Sequence, residues 1–294
     1  MFDPAQLAAL AAVHRRGSFD LAAADLNVTP SAISQRIKAL EEATGTLLIR
    51  REKPCTATET GRRLVRHHDE TALLTKALAD DLHKSSGPAT LRIAVNADSL
   101  ATWVMPALAA TAGFLYDIVI DDQDTSQSLL KSGEVAAAIT SHPGPLQGCD
   151  TVALGTLRYR ATASPAFVAR WFGQGVTAQA LGHAPALRFN DKDRLQSTWA
   201  ARHGQTAALP SHRIASSHGF VDACLTGLGW GMNPEALVAA HLTSGALIDL
   251  TPQDPLDVPL YWQWGRLTAR ATAPLTAALL RAAKSLCPPA KPIS

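Results

Sequence analysis

Three features of the sequence predict a mixed α/β chain made of a helical head, one long helix and a two-lobed α/β region. Residues 1–58 carry three closely spaced helix signals and then a basic hairpin. From Thr58 to Ser86 there is no proline, and the only glycine, Gly61, falls in the first turn, so residues 59–87 read as a linker helix. From residue 88 to 294 short apolar runs alternate with helical patterns, which is the mark of βαβ units around a mostly parallel sheet.

The head is legible element by element. Asp3 and Pro4 supply an N-cap and a first helical residue, and Leu7, Leu10, Ala11 and Val13 keep helical spacing up to the left-handed stop at Gly17. Ser18 caps a short helix over residues 19–26, whose alanines 22–24 allow close approach. Asn27 and Val28 make a turn. Thr29 caps a third helix with Pro30 at its first position, and the stripe Ile33, Ile37 and Leu40 runs to Gly45. That leaves Ser31, Ser34, Gln35 and Lys38 facing outward. Two short helices across a tight turn, the second with small hydrogen-bonding side chains near its N-terminus, are what major-groove reading requires. Residues 47–49 predict a strand, and Arg50, Arg51, Lys53 and Pro54 a basic hairpin suited to phosphate or minor-groove contact. The head therefore reads as a winged helix-turn-helix over 1–58.

Charge supports that reading locally. The whole chain carries only +2, which excludes binding to nucleic acid by gross charge. Residues 50–66, however, hold six basic side chains against two acidic ones. In the linker, Leu64, His68, Thr71, Leu74, Leu78 and Leu82 recur at helical spacing, and a stripe of that length must be buried against something. Ser85 to Pro88 mark the next boundary.

In the α/β region, strands are expected at 91–95, 116–120, 135–139, 186–189, 213–215, 230–232 and 260–264. The chain is expected to cross between lobes near 161–164 and 265–267, giving subdomain I (88–162 and 267–294) and subdomain II (163–266). Such a two-lobed, periplasmic-binding-protein-like α/β domain holds ligands in the cleft at its strand ends. Asn96, Asp98 and Ser99 follow the first strand and open a helix, and Ser217 and His218 do so from the other lobe. Asp121, Asp122 and Asp124 follow the second strand, Asn190, Asp191 and Asp193 follow the first strand of lobe II, and Ser164 lies at one crossing. A ligand with a carboxylate at one end and a cation at the other matches this set, its carboxylate on the helix N-termini and its cation near Asp122 or Asp124.

Other classes are disfavoured. No GxSxG, HExxH, P-loop or strand-following GxGxxG occurs, so no catalytic residue or cofactor is expected. Cys55, Cys149, Cys224 and Cys287 are scattered and form no metal motif. There is no apolar run of spanning length, and Met-Phe-Asp-Pro does not open a signal peptide, so a cytoplasmic protein without a membrane partner is expected.

The head motifs Ser18-Phe-x-x-Ala-Ala, Thr29-Pro-Ser-Ala-Ile-Ser-Gln-Arg-Ile, Leu40-Glu and Leu48-x-Arg50 with Thr58-x-x-Gly61 resemble those of the LysR-type transcription regulators. The resemblance implies that Thr29, Pro30, Ser31, Ser34, Gln35, Lys38, Arg50 and Lys53 contact double-stranded DNA. It also implies pairing of the linker helix with that of a second copy, a tetramer built through the sensor domains, and RNA polymerase as a further partner. Arg51-Glu-Lys-Pro-Cys55, Val95-Asn-Ala-Asp-Ser-Leu-Ala-Thr-Trp103, Asp122-Gln-Asp124, Gly227-Leu-Gly-Trp-Gly-Met232 and Pro259-Leu-Tyr-Trp-Gln263 look like the LysG/ArgP subgroup of that family. That similarity implies a regulator that senses lysine or arginine and controls a basic-amino-acid exporter gene. His218 stands where the subgroup usually has Glu, which leaves a LysR-type regulator of a different small carboxylate as the alternative.

Overall fold

The computed structural model describes residues 2–83, 87–120, 126–144 and 146–288. The head comprises α1 (Pro4–Arg16), α2 (Phe19–Asp25), α3 (Pro30–Thr44) and a hairpin of β1 (Ile49–Arg50) and β2 (Thr56–Ala57). The expected caps form: Asp3 accepts from the Ala5 N–H at 2.7 Å, Thr29 from Ala32 at 3.2 Å, and Gly17 takes φ 64°. Leu10, Val13, Ile33, Ile37, Leu40 and Leu48 lose all contact with solvent. Each large side chain of this kind contributes about 1.5–3 kcal/mol.

Two glycines decide how closely the hairpin packs. A Cβ at Gly17 would lie 2.7 Å from Pro54 Cβ, and the Cys55 N–H donates to the Gly17 carbonyl at 2.8 Å. A Cβ at Gly61 would sit 2.2 Å from the Leu48 carbonyl oxygen. Both sites admit only glycine, so the wing is pinned against the helices.

The linker α4 (Glu59–Asp81) ends sooner than its pattern predicts: Leu82 caps it and His83 takes φ 51°. It joins two cores. Leu64 and Val65 pack into the head, whereas Leu73 is buried in the core of the α/β region. The Leu74, Leu78, Leu82 side of the stripe stays exposed, at 41, 59 and 56%.

In the α/β region, β3 (Ala89–Val95) leads through α5 (Ala97–Ser99), a π-helical turn (Leu100–Val104) and α6 (Met105–Ala109) to β4 (Phe114–Ile120), α7 (Ser126–Ser132) and β5 (Ala137–Thr140). These strands are parallel and make lobe I. Lobe II holds α8 (Pro165–Trp171), α9 (Ala178–His183), β7 (Ala186–Arg188), α10 (Leu195–Arg202), β8 (Ser211–Arg213), α11 (Ser217–Leu225), β9 (Gly231–Pro234), α12 (Glu235–Thr243) and β10 (Ile248–Asp249). Two long antiparallel strands, β6 (Cys149–Ala163) and β11 (Leu256–Gly265), connect the lobes, and α13 (Ala269–Ala282) returns to lobe I.

The sheet is thus less parallel than the alternation predicts. Its order is β10-β6-β11-β5-β3-β4, with β9 also on β6, and every pairing of β6 and β11 is antiparallel. The predicted crossings near 161–164 and 265–267 fall at the ends of these two strands, whose register shifts between Leu260 and Tyr261. Sequence patterning misses β6 because Gly155, at φ 137°, interrupts it where the Cys287 carbonyl oxygen approaches to 2.9 Å of a Cβ position. Trp199, Trp230, Trp262 and Tyr159 are the largest fully buried side chains, and the Trp199 and Trp230 rings pack at 5.1 Å across the floor of lobe II.

Candidate functional site

The head presents one polar face. Pro30 starts α3 at the Thr29 cap, and Ser31, Gln35 and Lys38 are exposed along it, with Ser34 half-buried between them. Lys38 faces Glu42 loosely at 3.7 Å and remains 75% exposed, so its charge is available. Arg50 and Lys53 are exposed on the hairpin, and the Arg51 guanidinium lies 5.2 Å from the centre of the Phe19 ring, which orients the wing beside α2. The eight residues expected to touch DNA therefore lie on one helix and its adjoining wing, with exposed donors and positive charge suited to groove and phosphate.

A second site lies between the lobes, a cavity of about 300 Å³. Lobe I contributes Asn96, Ala97, Asp98 and Ser141, and lobe II contributes Phe189, residues 192–196, Thr198, Ser217, Phe220 and residues 232–234, with Leu256 and Val258 from β11. Asp98 is held from two sides: Ser217 Oγ donates to Oδ1 at 2.6 Å and Tyr159 Oη to Oδ2 at 2.8 Å. Burial lifts the Asp98 carboxyl above the ordinary carboxylate value, the two hydrogen bonds lower it, and the charge of Asp193 raises it further. No cation among the described residues pairs with Asp98. Lys192 and Arg194 bring positive charge to the rim, while Asp193 is spent on the loop, accepting from the Phe189 and Leu195 N–H groups at 2.9 and 3.0 Å.

The effector residues expected from sequence separate into groups. Asn96, Asp98 and Ser217 line the cavity. Ser99 is buried one residue beyond, its hydroxyl without a partner. Ser164 instead caps α8 toward the Phe167 N–H at 3.4 Å, and Asn190 closes its own loop by accepting from Lys192 and Asp193 N–H at 2.8 and 3.1 Å. His218 is exposed, since α11 turns it away from its neighbour Ser217. None of these three lines the cavity. Asp122 and Asp124 lie outside the described residues.

Several lining residues have no counterpart in the sequence reading, among them Gln196, Asn233 and Phe220. Gln196 carries no motif. Its signal was only its place near the start of a helix after β7, on the cleft side of lobe II. Among the described residues no group of three His, Cys, Asp or Glu side chains is placed to hold a metal ion, and no helix is long and apolar enough to cross a membrane.

Comparison with known proteins places this geometry. Residues 4–62 match the family model described as bacterial regulatory helix-turn-helix protein, lysR family, and residues 84–287 match the LysR substrate binding domain. The HTH-type transcriptional regulator LysG of Mycobacterium tuberculosis is 44% identical over 287 residues, covering 97% of this chain and 94% of that protein. The crystal structure of ArgP from Mycobacterium tuberculosis superposes with a TM-score of 0.82 at 42% identity, over 99% of this chain and all of that one. Full-length LysG from Corynebacterium glutamicum with bound effector Arg gives a TM-score of 0.68 at 36% identity, over 98% of this chain and all of that one.

Proposed function

This chain belongs to the LysR family of bacterial transcription regulators and is of the LysG/ArgP kind, and from that premise we propose that it senses lysine or arginine in the interlobe cleft and controls a basic-amino-acid exporter gene. One observation carries the proposal. Asp98 is a carboxylate set into the cleft, supplied with two hydroxyl donors and with no cation among the described residues. A ligand cation supplies the charge that makes such a desolvated carboxylate favourable. The arginine bound in the Corynebacterium glutamicum relative supports the same chemistry. The side-chain cation is therefore assigned to Asp98, with Ser217 beside it, and Ser99, Asp122 and Asp124 stay in the proposed set.

The remaining assignments follow from the family. Thr29, Pro30, Ser31, Ser34, Gln35 and Lys38 are proposed to enter the major groove, with Arg50 and Lys53 on the backbone. Two copies are proposed to pair along the exposed Leu74, Leu78, Leu82 face and to assemble further through the sensors, acting in the cytoplasm with RNA polymerase. Ligand acts on DNA binding only through unequal affinity for two arrangements of the lobes, and the Asp98–Ser217 bond between lobes is where that difference arises. Titration calorimetry with lysine, arginine and norleucine tests the reading. Tight lysine or arginine and weak norleucine are expected, and norleucine equal to lysine removes the basic effector while leaving the regulator.

A further inference from the structure

Six basic side chains lie between residues 50 and 66, yet only Arg50 and Lys53 belong to the set proposed to touch DNA. Arg51 is turned onto the Phe19 ring. The other three, Arg62, Arg63 and Arg66, line an open groove of about 500 Å³ along the N-terminal part of α4. Its opposite wall is lobe I, which adds Lys131 from the last turn of α7. The groove therefore runs between the DNA-reading head and the α/β region, apart from the polar face of α3 and from the interlobe cleft.

The chain does not balance the charge of this groove. Four permanent cations line it against two carboxylates, Glu59 and Glu70, and His67 stands among them. Arg66 Nε donates to Glu70 at 2.8 Å, and Arg62 Nη1 is held by the Ala57 carbonyl at 3.1 Å. Neither Arg63 nor Lys131 pairs with a carboxylate among the described residues, and both are exposed. Two further features disfavour this arrangement in the absence of an anion. The N-terminal end of a helix carries partial positive charge, so Arg62 stands where the α4 dipole favours an acidic side chain. In addition, a Cβ at Gly133 would overlap Arg66 Cδ, so the stem of this arginine rests directly on lobe I and like charges of two units are drawn together.

We propose that this groove binds phosphate, taken either from a soluble phosphorylated anion or from the phosphodiester backbone of duplex flanking the site read by α3. The excess of two positive charges matches a phosphate monoester, which carries about −1.5 to −2 at neutral pH, or two backbone phosphates of one charge each. Guanidinium forks bind two phosphate oxygens at once, and a cluster of arginines joined by an ammonium supplies donors around a tetrahedral group. A single carboxylate leaves half of the excess uncompensated. Because its contacts come from α4 and from lobe I, bound phosphate fastens the DNA-reading head to the α/β region. The proposal is independent of what fills the interlobe cleft.

The test uses the full-length protein and the double variant Arg63→Gln with Lys131→Gln, which breaks no ion pair among the described residues. Its melting temperature, and its base preference on a duplex limited to the recognised site, are expected to equal the parent's. Titration calorimetry with inorganic tripolyphosphate at fixed ionic strength should show binding to the parent that is about tenfold or more weaker in the variant. A second arm compares the short duplex with one longer by about one helical turn of 10 base pairs at each end. If the longer duplex binds the parent more tightly, and the variant loses that gain with a salt slope lower by about 2, the phosphate comes from DNA. If the variant weakens tripolyphosphate but treats the flanking duplex as the parent does, the phosphate comes from a soluble anion. If neither tripolyphosphate nor the longer duplex distinguishes the variant from the parent, the site is overturned and the groove is solvated charge.

Discussion

Ser217 Oγ donates to Asp98 Oδ1 at 2.6 Å, so the first residue of α11 in lobe II is tied directly to the strand-to-helix corner of lobe I. The same carboxylate accepts from Tyr159 on the connecting strand. One side chain therefore touches both lobes and the strand that joins them.

Asp98→Asn is expected to weaken lysine binding by about 10-fold to 150-fold, the equivalent of a charged hydrogen bond worth about 1.5–3 kcal/mol. The variant also has a pH signature. Burial raises the Asp98 carboxyl in the folded chain, so the fold holds this proton more tightly than the unfolded chain does. Its contribution to stability is fully present below the unfolded carboxylate value and is lost as pH rises toward the raised folded value. Melting temperatures of the ligand-free parent should fall across that window, and those of Asp98→Asn should lack this component. Indistinguishable pH profiles for the two proteins would mean that Asp98 ionises in the cleft without penalty.

On the DNA face, Gln35→Ala should cost about 1–3 kcal/mol on the specific site and relax base preference, because Gln35 lies exposed in the first turns of α3. Arg50→Ala should weaken all sequences alike and lower the salt slope by about 1. Binding isotherms at several salt concentrations on operator and random duplex measure both. Equal loss on the two duplexes for Gln35→Ala takes that residue out of base reading.

Leu78 is 59% exposed between Leu74 and Leu82 on a helix whose other face already packs on its own sensor domain. A glutamate in a buried seam costs several kcal/mol. Leu78→Glu should therefore shift the protein toward monomer in light scattering at micromolar concentration, with unchanged helical content. A persistent dimer would place the seam on another surface.

Gly61→Ala should destabilise the head by about 1–3 kcal/mol, because its Cβ would lie 2.2 Å from the Leu48 carbonyl oxygen and backbone must move. Thermal unfolding and DNA affinity should fall together, since the displaced residue adjoins β1 of the wing. Unchanged melting would show that α4 and the hairpin can separate freely.

The head was almost wholly legible in advance because its signals are local. Asp3, Ser18 and Thr29 cap through side chains two or three residues from their targets, and Gly17 and Gly45 stop their helices in the left-handed region. The sensor was legible in its parallel half, where apolar runs and intervening helices repeat. It was less so at β6, whose pairing is with residues about a hundred positions away and whose Gly155 is required by the returning C-terminal segment. The cleft shows the same division: Asn96, Asp98 and Ser217 follow their strands in sequence, whereas Gln196 and Asn233 carry no motif.

By itself, then, the sequence determined the winged head, the long linker and the alternation that makes two lobes, since capping, periodicity and turn chemistry act over a few residues. Only the tertiary structure decided that Asp98 meets both Ser217 and Tyr159, that His218 faces solvent while its neighbour enters the cleft, and that Asn96, Gln196 and Asn233 share one cavity. Those outcomes depend on how two lobes meet across β6 and β11, and that geometry is set by long-range strand register and packing, which local sequence patterns do not encode.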